Sequence, residues 1–403
     1  MPFWFSGLPA CWAKKGANVP ENGLLRGPLF SYLGLILIFL PFLRERVWLV
    51  LPIMLGGRLL HWGADRISAS LALQTWREKA VRRAGRNAFA ISLALFAVAA
   101  LIPFFSSGYV TDILTSVVLY SILATALNIT VGLSGILVLG FIGFYAVGAY
   151  TTALLTAKFA LCGFWLALPL SGAAALACGV VLGAPALRLK GDYLAIVTLG
   201  FGEIVRIFAN NLDSFTGGPN GILGIPRPAI MGWQLTSPVA FYLFVLACLG
   251  VTLLTVTRII ASRYGRAFIA VRENEMAAAA IGIDVFRKHL LSFALSAFFG
   301  GIAGSLFAVK QGFISPDSFT FFESVLVLCM VVLGGIGNPA GAVAGAFLLV
   351  AVPEMLRDFQ LYRMLVFGGV MVAFMVFRPN GIMGSLTFAL EVDDSRDERE
   401  GLP

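Results

Sequence analysis

Apolar runs long enough to cross a bilayer follow one another along almost the whole chain, and this succession restricts the possible folds more than any other feature. A helix crossing the hydrocarbon core needs about 20 apolar residues. Stretches such as 135–157, 164–187 and 235–257 supply that length without one charged side chain. Of the 403 residues, 59% are hydrophobic and 12% charged, and no soluble domain of this size has a core large enough to hide such a share. A transmembrane barrel requires short alternating segments, whereas these runs are continuous. In lipid each backbone polar group needs a partner, and helices provide it locally. The expected fold is therefore an all-α polytopic membrane protein.

The crossings are counted from the strongest basic loop, residues 58–86, which carries Arg58, Arg66, Arg77, Lys79, Arg82, Arg83 and Arg86. The positive-inside bias puts that loop in the cytoplasm. Crossings then follow at 87–105, 110–131, 135–157, 164–187, 193–209, 235–257, 290–309, 324–336, 342–355 and 362–377, about ten core transmembrane helices in all. Residues 210–234 and 310–323 fall outside. The loop 258–289 falls inside, where its excess of Arg and Lys places it independently. Upstream, the runs 27–43 and 47–60 add one or two N-terminal apolar helices, and no cleavable signal closes the first. The chain thus divides into an N-terminal extension (1–86), a membrane core (87–385) and an acidic tail (386–403) that is solvated and cytoplasmic.

The formal charge of +8 does not point to nucleic acid, because the basic residues sit between apolar segments and no basic–aromatic pattern accompanies them. Cys11, Cys162, Cys178, Cys248 and Cys329 are scattered without disulfide or metal spacing. His61 and His289 are far apart, so no metal site is expected. The chain has no G-x-x-x-x-G-K-[ST], no H-E-x-x-H and no G-x-S-x-G, and Gly132-Leu133-Ser134-Gly135 lacks the context of a nucleophile elbow. Neither enzyme chemistry nor a nucleotide site is expected on this chain.

The polar island 261–289 stands out in the C-terminal half. Arg263, Gly265, Arg266 and Arg272 lead to Glu275 and Met276, then to Ala277, Ala278, Ala279 and Ala280, with Gly282 as the stop. This reads as a short helix outside the membrane, nearly bare of side chains and suited to docking by a partner; the plainer reading is an ordinary loop helix. Ala278→Arg is the substitution expected to spoil docking.

Other candidates carry two readings each. Glu203 and Arg206 share a face of an apolar helix, as a functional pair or a structural ion pair. Asn128 serves either packing or a pathway. Phe144, Tyr145 and Tyr150 line a solute route or fill the bundle. Gly217, Gly218, Pro219, Asn220 and Gly221 form an external turn, with or without an anion held by backbone amides. Glycines crowd residues 132–148, 300–304 and 334–345, permitting close helix approach and helix breaks. Leu139-Gly140-Phe141-Ile142-Gly143 echoes Leu333-Gly334-Gly335-Ile336-Gly337, as in transporters built from repeats with broken helices.

The strings GLSGILVLGFIGFYAVGAY, RLKGDYLAIVTLGFGEIVRI, TGGPNGI, SRYGRAFIAVRENEMAAAAIGI, FALSAFFGGIAGSLFA, SPDSFTF, VVLGGIG and FRPNGI together resemble the inner-membrane permeases of branched-chain amino acid ATP-binding cassette (ABC) importers. The likeness is to the LivM-type subunit and covers roughly residues 101–384. It implies a permease core paired with a LivH-type permease in the bacterial inner membrane. Two ABC ATPase subunits would sit beneath, holding ATP and Mg, and a periplasmic substrate-binding protein would deliver leucine, isoleucine or valine. The family's coupling loop falls on residues 265–282, with 275–282 as the helix entering the ATPase. Urea, amides or other amino acids are the alternative cargo, and an ion-coupled carrier or channel is the alternative class.

Overall fold

The computed structural model describes residues 88–189, 191–230, 233–234, 237–355, 368–369 and 381–384. The N-terminal runs 27–43 and 47–60, the basic loop 58–86, nearly all of the crossing 362–377 and the tail 386–403 lie outside the described residues. Those that are described belong to one compact unit, Ala84–Pro403.

The helices are α1 (Ala88–Phe105), α2 (Gly108–Asn128), α3 (Ile142–Ala153), α4 (Phe164–Ala186), α5 (Asp192–Asn211) and the single turn α6 (Asp213–Thr216). They continue with α7 (Pro238–Ala261), α8 (Arg263–Glu273), α9 (Glu275–Ala280), α10 (Val285–Gln311), α11 (Phe321–Gly334) and α12 (Pro339–Met355). π-helical turns extend α2 through Ile129–Leu133 and α3 through Leu154–Lys158. The only strands among the described residues are β1 (Ile222–Leu223), β2 (Ala229–Ile230), β3 (Trp233–Gln234) and β4 (Phe313–Ile314). β1 pairs antiparallel with β4, Ile222 opposite Ile314, and β2 pairs with β3. The chain is a polytopic all-α membrane protein, and among the described residues these two-residue ladders are its only β-structure.

Among the described residues, five helical segments are long and apolar enough to cross a membrane: Gly108–Leu133, Phe164–Ala186, Pro238–Ala261, Val285–Gln311 and Pro316–Gly334. Shorter apolar helices run over Phe96–Phe105 and Pro339–Ala351. Two expected crossings depart from the expectation for physical reasons. Residues 135–141 are not helical, so the run 135–157 contains only α3 and its π turn. α5 carries Asp192, Glu203 and Arg206 and leaves Tyr193, Ile196, Ile204 and Phe208 on its outer face. The expected outer loop 310–323 is also shorter, because α10 runs to Gln311 and α11 starts at Phe321.

α10 is the centre of the bundle, packed against α2, α3 and α4. Small residues allow the approach. Ser171, Ala175, Gly179 and Gly183 recur every four residues along α4 and are all buried, so they form one face. That face meets α10, where a Cβ on Gly301 would stand 2.5 Å from Ala175 Cβ and one on Gly179 would stand 2.7 Å from Ala297 Cβ. α3 lies closer still: a Cβ on Gly148 would overlap the Gly301 carbonyl, and one on Gly304 the Tyr145 carbonyl. Lipid tails are as apolar as leucine, so association of these helices rests on such backbone approach rather than on burial.

α2 and α3 are separated by a buried, irregular segment. Ser134, Ile136, Val138 and Phe141 are nearly inaccessible although the backbone there is not helical. Its amides find side chains from other helices: Leu139 N donates to Thr198 Oγ1 at 3.2 Å and Ile142 N to Ser324 Oγ at 3.0 Å. A second break separates α11 from α12. Gly337 N there donates to Asn128 Oδ1 at 2.8 Å, and Asn338 Oδ1 caps α12 through Ala340 N at 3.1 Å. Both echoing strings, 139–143 and 333–337, lie at these breaks.

Gly148→Ala forces a methyl into the Gly301 backbone and is expected to cost at least about 1–3 kcal/mol by overpacking. Gly163→Ala, where a methyl meets nothing within 4 Å, is expected to be neutral. Thermal unfolding of the detergent-purified variants checks the pair.

Candidate functional site: the capped helix pair between α7 and α10

The polar island folds into α8 and α9, each held by local hydrogen bonds. Ser262 Oγ accepts from Tyr264 N at 3.2 Å and starts α8. Phe268 and Val271 turn inward and are fully buried, and Gly265 lies against the last carbonyls of α7. Arg266 Nη1 reaches back to one of these, Ala261 O, at 3.1 Å. Asn274 breaks α8 in an extended conformation and caps α9, its Oδ1 accepting from Ala277 N at 3.0 Å.

Gly282 ends α9 at φ +87°, the left-handed geometry that a side chain disfavours. Gly282 N donates to Ala279 O and Ile283 N to Ala278 O, both at 3.0 Å, which is the paired pattern of a Schellman motif. Asp284 then caps α10, with Oδ1 accepting from Arg287 N at 3.0 Å. α9 is thus a six-residue helix fixed at both ends.

Its exposed face is mostly alanine, with a large apolar side chain towards either end. Ala277, Ala279 and Ala280 are exposed, and Met276 and Ile281 are 82% and 75% accessible. Ala278 is the exception, 2% exposed and turned into the protein. This corrects the choice of Ala278→Arg as a docking test: a charge there would disrupt the chain's own packing before it met a partner. On either side lies a concavity. One of ≈ 740 Å³ carries Arg263, Arg266, Arg287 and Lys288. The other, of ≈ 490 Å³, joins Met276 and Ala279 to Gly135, Ile136 and His289. His289 Nε2 stands 3.4 Å from Glu275 Oε1 and ties α9 to the base of α10.

Arg272 connects this island to the membrane core. Its Nη1 donates to Gly132 O at 2.6 Å, a carbonyl in the π turn that ends α2. Its side-chain stem packs on Gly135, where a Cβ would come within 2.9 Å of Arg272 Cγ. The spacing of the island did not reveal this contact, because 140 residues separate the partners.

The other sequence candidates lie apart from the island. Glu203 and Arg206 pair at 2.9 Å on α5 with about a third of each side chain exposed (31% and 32%), a geometry worth little energy at a surface. Phe144 is 1% exposed and its ring packs 5.2 Å from Phe201 and 5.3 Å from Phe293. Tyr145 is 2% exposed and stacks near Phe307 and Phe319. Gly217 to Gly221 form a turn beside β4, with Pro219 and Asn220 exposed. Within that turn Gly217 N, Gly218 N and Gly221 N donate to Asp213 O, Thr216 Oγ1 and Gly218 O, so these amides are used internally.

Sequence reading missed two polar pairs between helices. Tyr120 Oη donates to Glu323 Oε2 at 2.8 Å, and Lys310 Nζ donates to Asp112 Oδ2 at 3.3 Å and to Ser116 Oγ at 2.5 Å. The available signal was an ionisable residue at the edge of an apolar run, which was read as loop.

Arg272→Met leaves the Gly132 carbonyl without its donor and is expected to cost about 1–3 kcal/mol. The exposed Arg263→Met should leave stability unchanged. Melting temperatures of the purified variants test this.

Comparison with known proteins places the chain. A family model described as "Branched-chain amino acid transport system / permease component" matches residues 109–375. The chain is 46% identical over 314 residues to the "High-affinity branched-chain amino acid transport system permease protein LivM" of Salmonella typhimurium, covering 72% of this chain and 74% of that protein. Against the Escherichia coli protein of the same name it is 46% identical over 318 residues, 73% and 74% of the two chains. It is also 29% identical over 180 residues to the "Autoinducer 2 import system permease protein LsrC" of Klebsiella pneumoniae, covering 43% and 50%. No solved structure matches. The chain therefore belongs to the family of branched-chain amino acid transport permease components, and within it to the LivM type.

Proposed function

We propose that the chain is the membrane-spanning subunit of an ABC importer that carries leucine, isoleucine and valine into a bacterial cell, and that α9 docks one of the importer's ATPases. The observation that carries the docking reading is the construction of α9: capped at both ends, alanine-rich on its outer face, and next to α8, whose Arg272 is bonded to the break in α2. A helix so fixed transmits a push instead of absorbing it. Nucleotide binding on the ATPases then shifts the permease between states only if the two states differ in their contacts with that helix.

The arrangement of the loops supports opposite membrane faces for the two polar regions. α8 and α9 precede the first turn of α10, whereas β4, with β1 and the 217–221 turn against it, follows its last turn. A 27-residue helix separates them by about 40 Å, more than the hydrocarbon thickness. In this reading α8–α9 and the C-terminus face the cytoplasm, residues 210–234 face outward, and the membrane core makes about ten crossings. A LivH-type permease completes the pore, two ABC ATPases hold ATP and Mg, and a periplasmic binding protein presents the amino acid.

Proteoliposomes holding the chain with its LivH-type and ATPase partners, binding protein outside and ATP inside, test this. Radiolabelled leucine uptake should need both ATP and binding protein and should be competed by isoleucine and valine. ATP hydrolysis without leucine uptake would contradict the cargo. Ala280→Arg adds a charge to the exposed face without disturbing the core, and uptake is expected to fall at least about tenfold through a lost interface contact. Normal uptake by that variant at normal membrane levels would contradict docking through α9.

A further inference from the structure

One face of α2 carries a polar stripe through the bundle. Asp112, Ser116, Tyr120 and Asn128 follow one another at multiples of four residues, with Ala124 filling the gap, so they share a face. α2 and its π turn form the most buried of the five spans, at 78%. The stripe meets a different element at each step. Asp112 and Ser116 hold Lys310 of α10, Tyr120 holds Glu323 of α11, and Asn128 holds the Gly337 amide of the second break.

Glu323 is the unbalanced member. It lies in the apolar span Pro316–Gly334, half-buried. Its partner among the described residues is a neutral phenol on Oε2, which leaves Oε1 as an open acceptor. A carboxylate taken into such a place without a cation carries a desolvation cost that a single phenol does not offset. The nearest cation along the stripe, Lys310, is engaged one turn away and only 12% exposed. A nearby hydroxyl also lacks a partner: Tyr145 Oη is buried without a hydrogen bond among the described residues, and Glu323 and Tyr120 are its electrostatic neighbours.

We infer that Glu323, positioned by Tyr120, receives the α-ammonium group of the transported amino acid, and that Lys310 exchanges Asp112 for its carboxylate. This rests on the reading of the chain as an amino acid importer. Ser116 and Tyr120, which hold Lys310 and Glu323, are one helical turn apart, about 6 Å along α2, so the two charges sit on adjacent steps of the stripe. The cation on the protein thereby meets the anion of the ligand, and the protein's unpaired anion meets its cation. The rings of Phe307 and Phe319, 6.0 Å apart and both packed on Tyr145, form an apolar cluster on the Tyr145 side of these charges. Part of that cluster, Phe319, lies two residues before α11.

The test uses the complete reconstituted importer. Glu323→Gln and Lys310→Gln should each lower leucine uptake at least about tenfold, the effect of losing one charge-assisted contact, while co-purification of the subunits and leucine-independent ATP hydrolysis stay as in the unmodified assembly. Tyr120→Phe, which keeps the carboxylate, should retain more uptake than Glu323→Gln. An unmodified assembly that moves no leucine contradicts the cargo reading and takes this inference with it. An unmodified assembly that transports, with both Gln variants transporting equally well, overturns this inference alone. So does a Tyr120→Phe variant that loses as much uptake as Glu323→Gln, since the pair would then be helix–helix glue. If Glu323→Gln does not assemble, Glu323→Asp decides: it keeps the charge but withdraws it by one methylene, and an unchanged KM for leucine overturns the assignment.

Discussion

Every backbone amide and carbonyl taken into lipid needs a partner, and in this chain that requirement is hardest to meet at residues 129–141. The helix loosens into a π turn at Ile129–Leu133 and then loses helical hydrogen bonding through Phe141. The segment is tolerated because other elements supply the missing partners. Arg272 donates to Gly132 O, Thr198 accepts from Leu139 N, and Ser324 accepts from Ile142 N. Those partners come from α8, α5 and α11. A break that would be costly alone becomes the place where three separate parts of the chain are tied together.

The second break depends on the first. Gly337 N donates to Asn128, the last residue of α2 before its π turn. The segment 381–384 closes the same break from the far end of the sequence, with Ile382 N donating to Leu333 O at 2.9 Å and Met383 N to Gly334 O at 3.1 Å. The two irregular segments are thus joined by one asparagine, and the first is joined to the α8–α9 island by one arginine. A displacement of α9 has a short route to both breaks through the adjoining α8, Arg272 and Asn128. The small-residue faces of α4 and α10 give the rigid body against which such a displacement acts.

Much of this was legible in the sequence. Uninterrupted apolar runs predict α4 almost to the residue and α7 to within three or four residues at each end, since such runs have no other stable form in lipid. The island 261–289 is visible from its charges, its alanine run and Gly282, all of which act over a few residues. The reasons for failure are equally physical. The run 135–141 is as apolar as a crossing and contains two of the glycines that permit its break, but composition does not say where backbone partners will come from. Lys310 and Glu323 read as loop residues because an ionisable side chain is normally excluded from a span. Only their pairing with Ser116 and Tyr120 across the fold shows them inside it. Which alanine of α9 faces inward was not legible either, because four consecutive alanines carry no amphipathic signal.

The most direct measurement of the central claim is a cross-link from α9. A single cysteine at Met276, on a cysteine-free background, places a reactive group on the exposed face of α9. With a short bifunctional reagent the account predicts a cross-link to the ABC ATPase subunit, with a yield that changes when ATP is bound, and no labelling of the same cysteine by an impermeant maleimide added outside intact cells. Labelling from outside, or an assembled importer in which no cross-link to the ATPase forms, would contradict it.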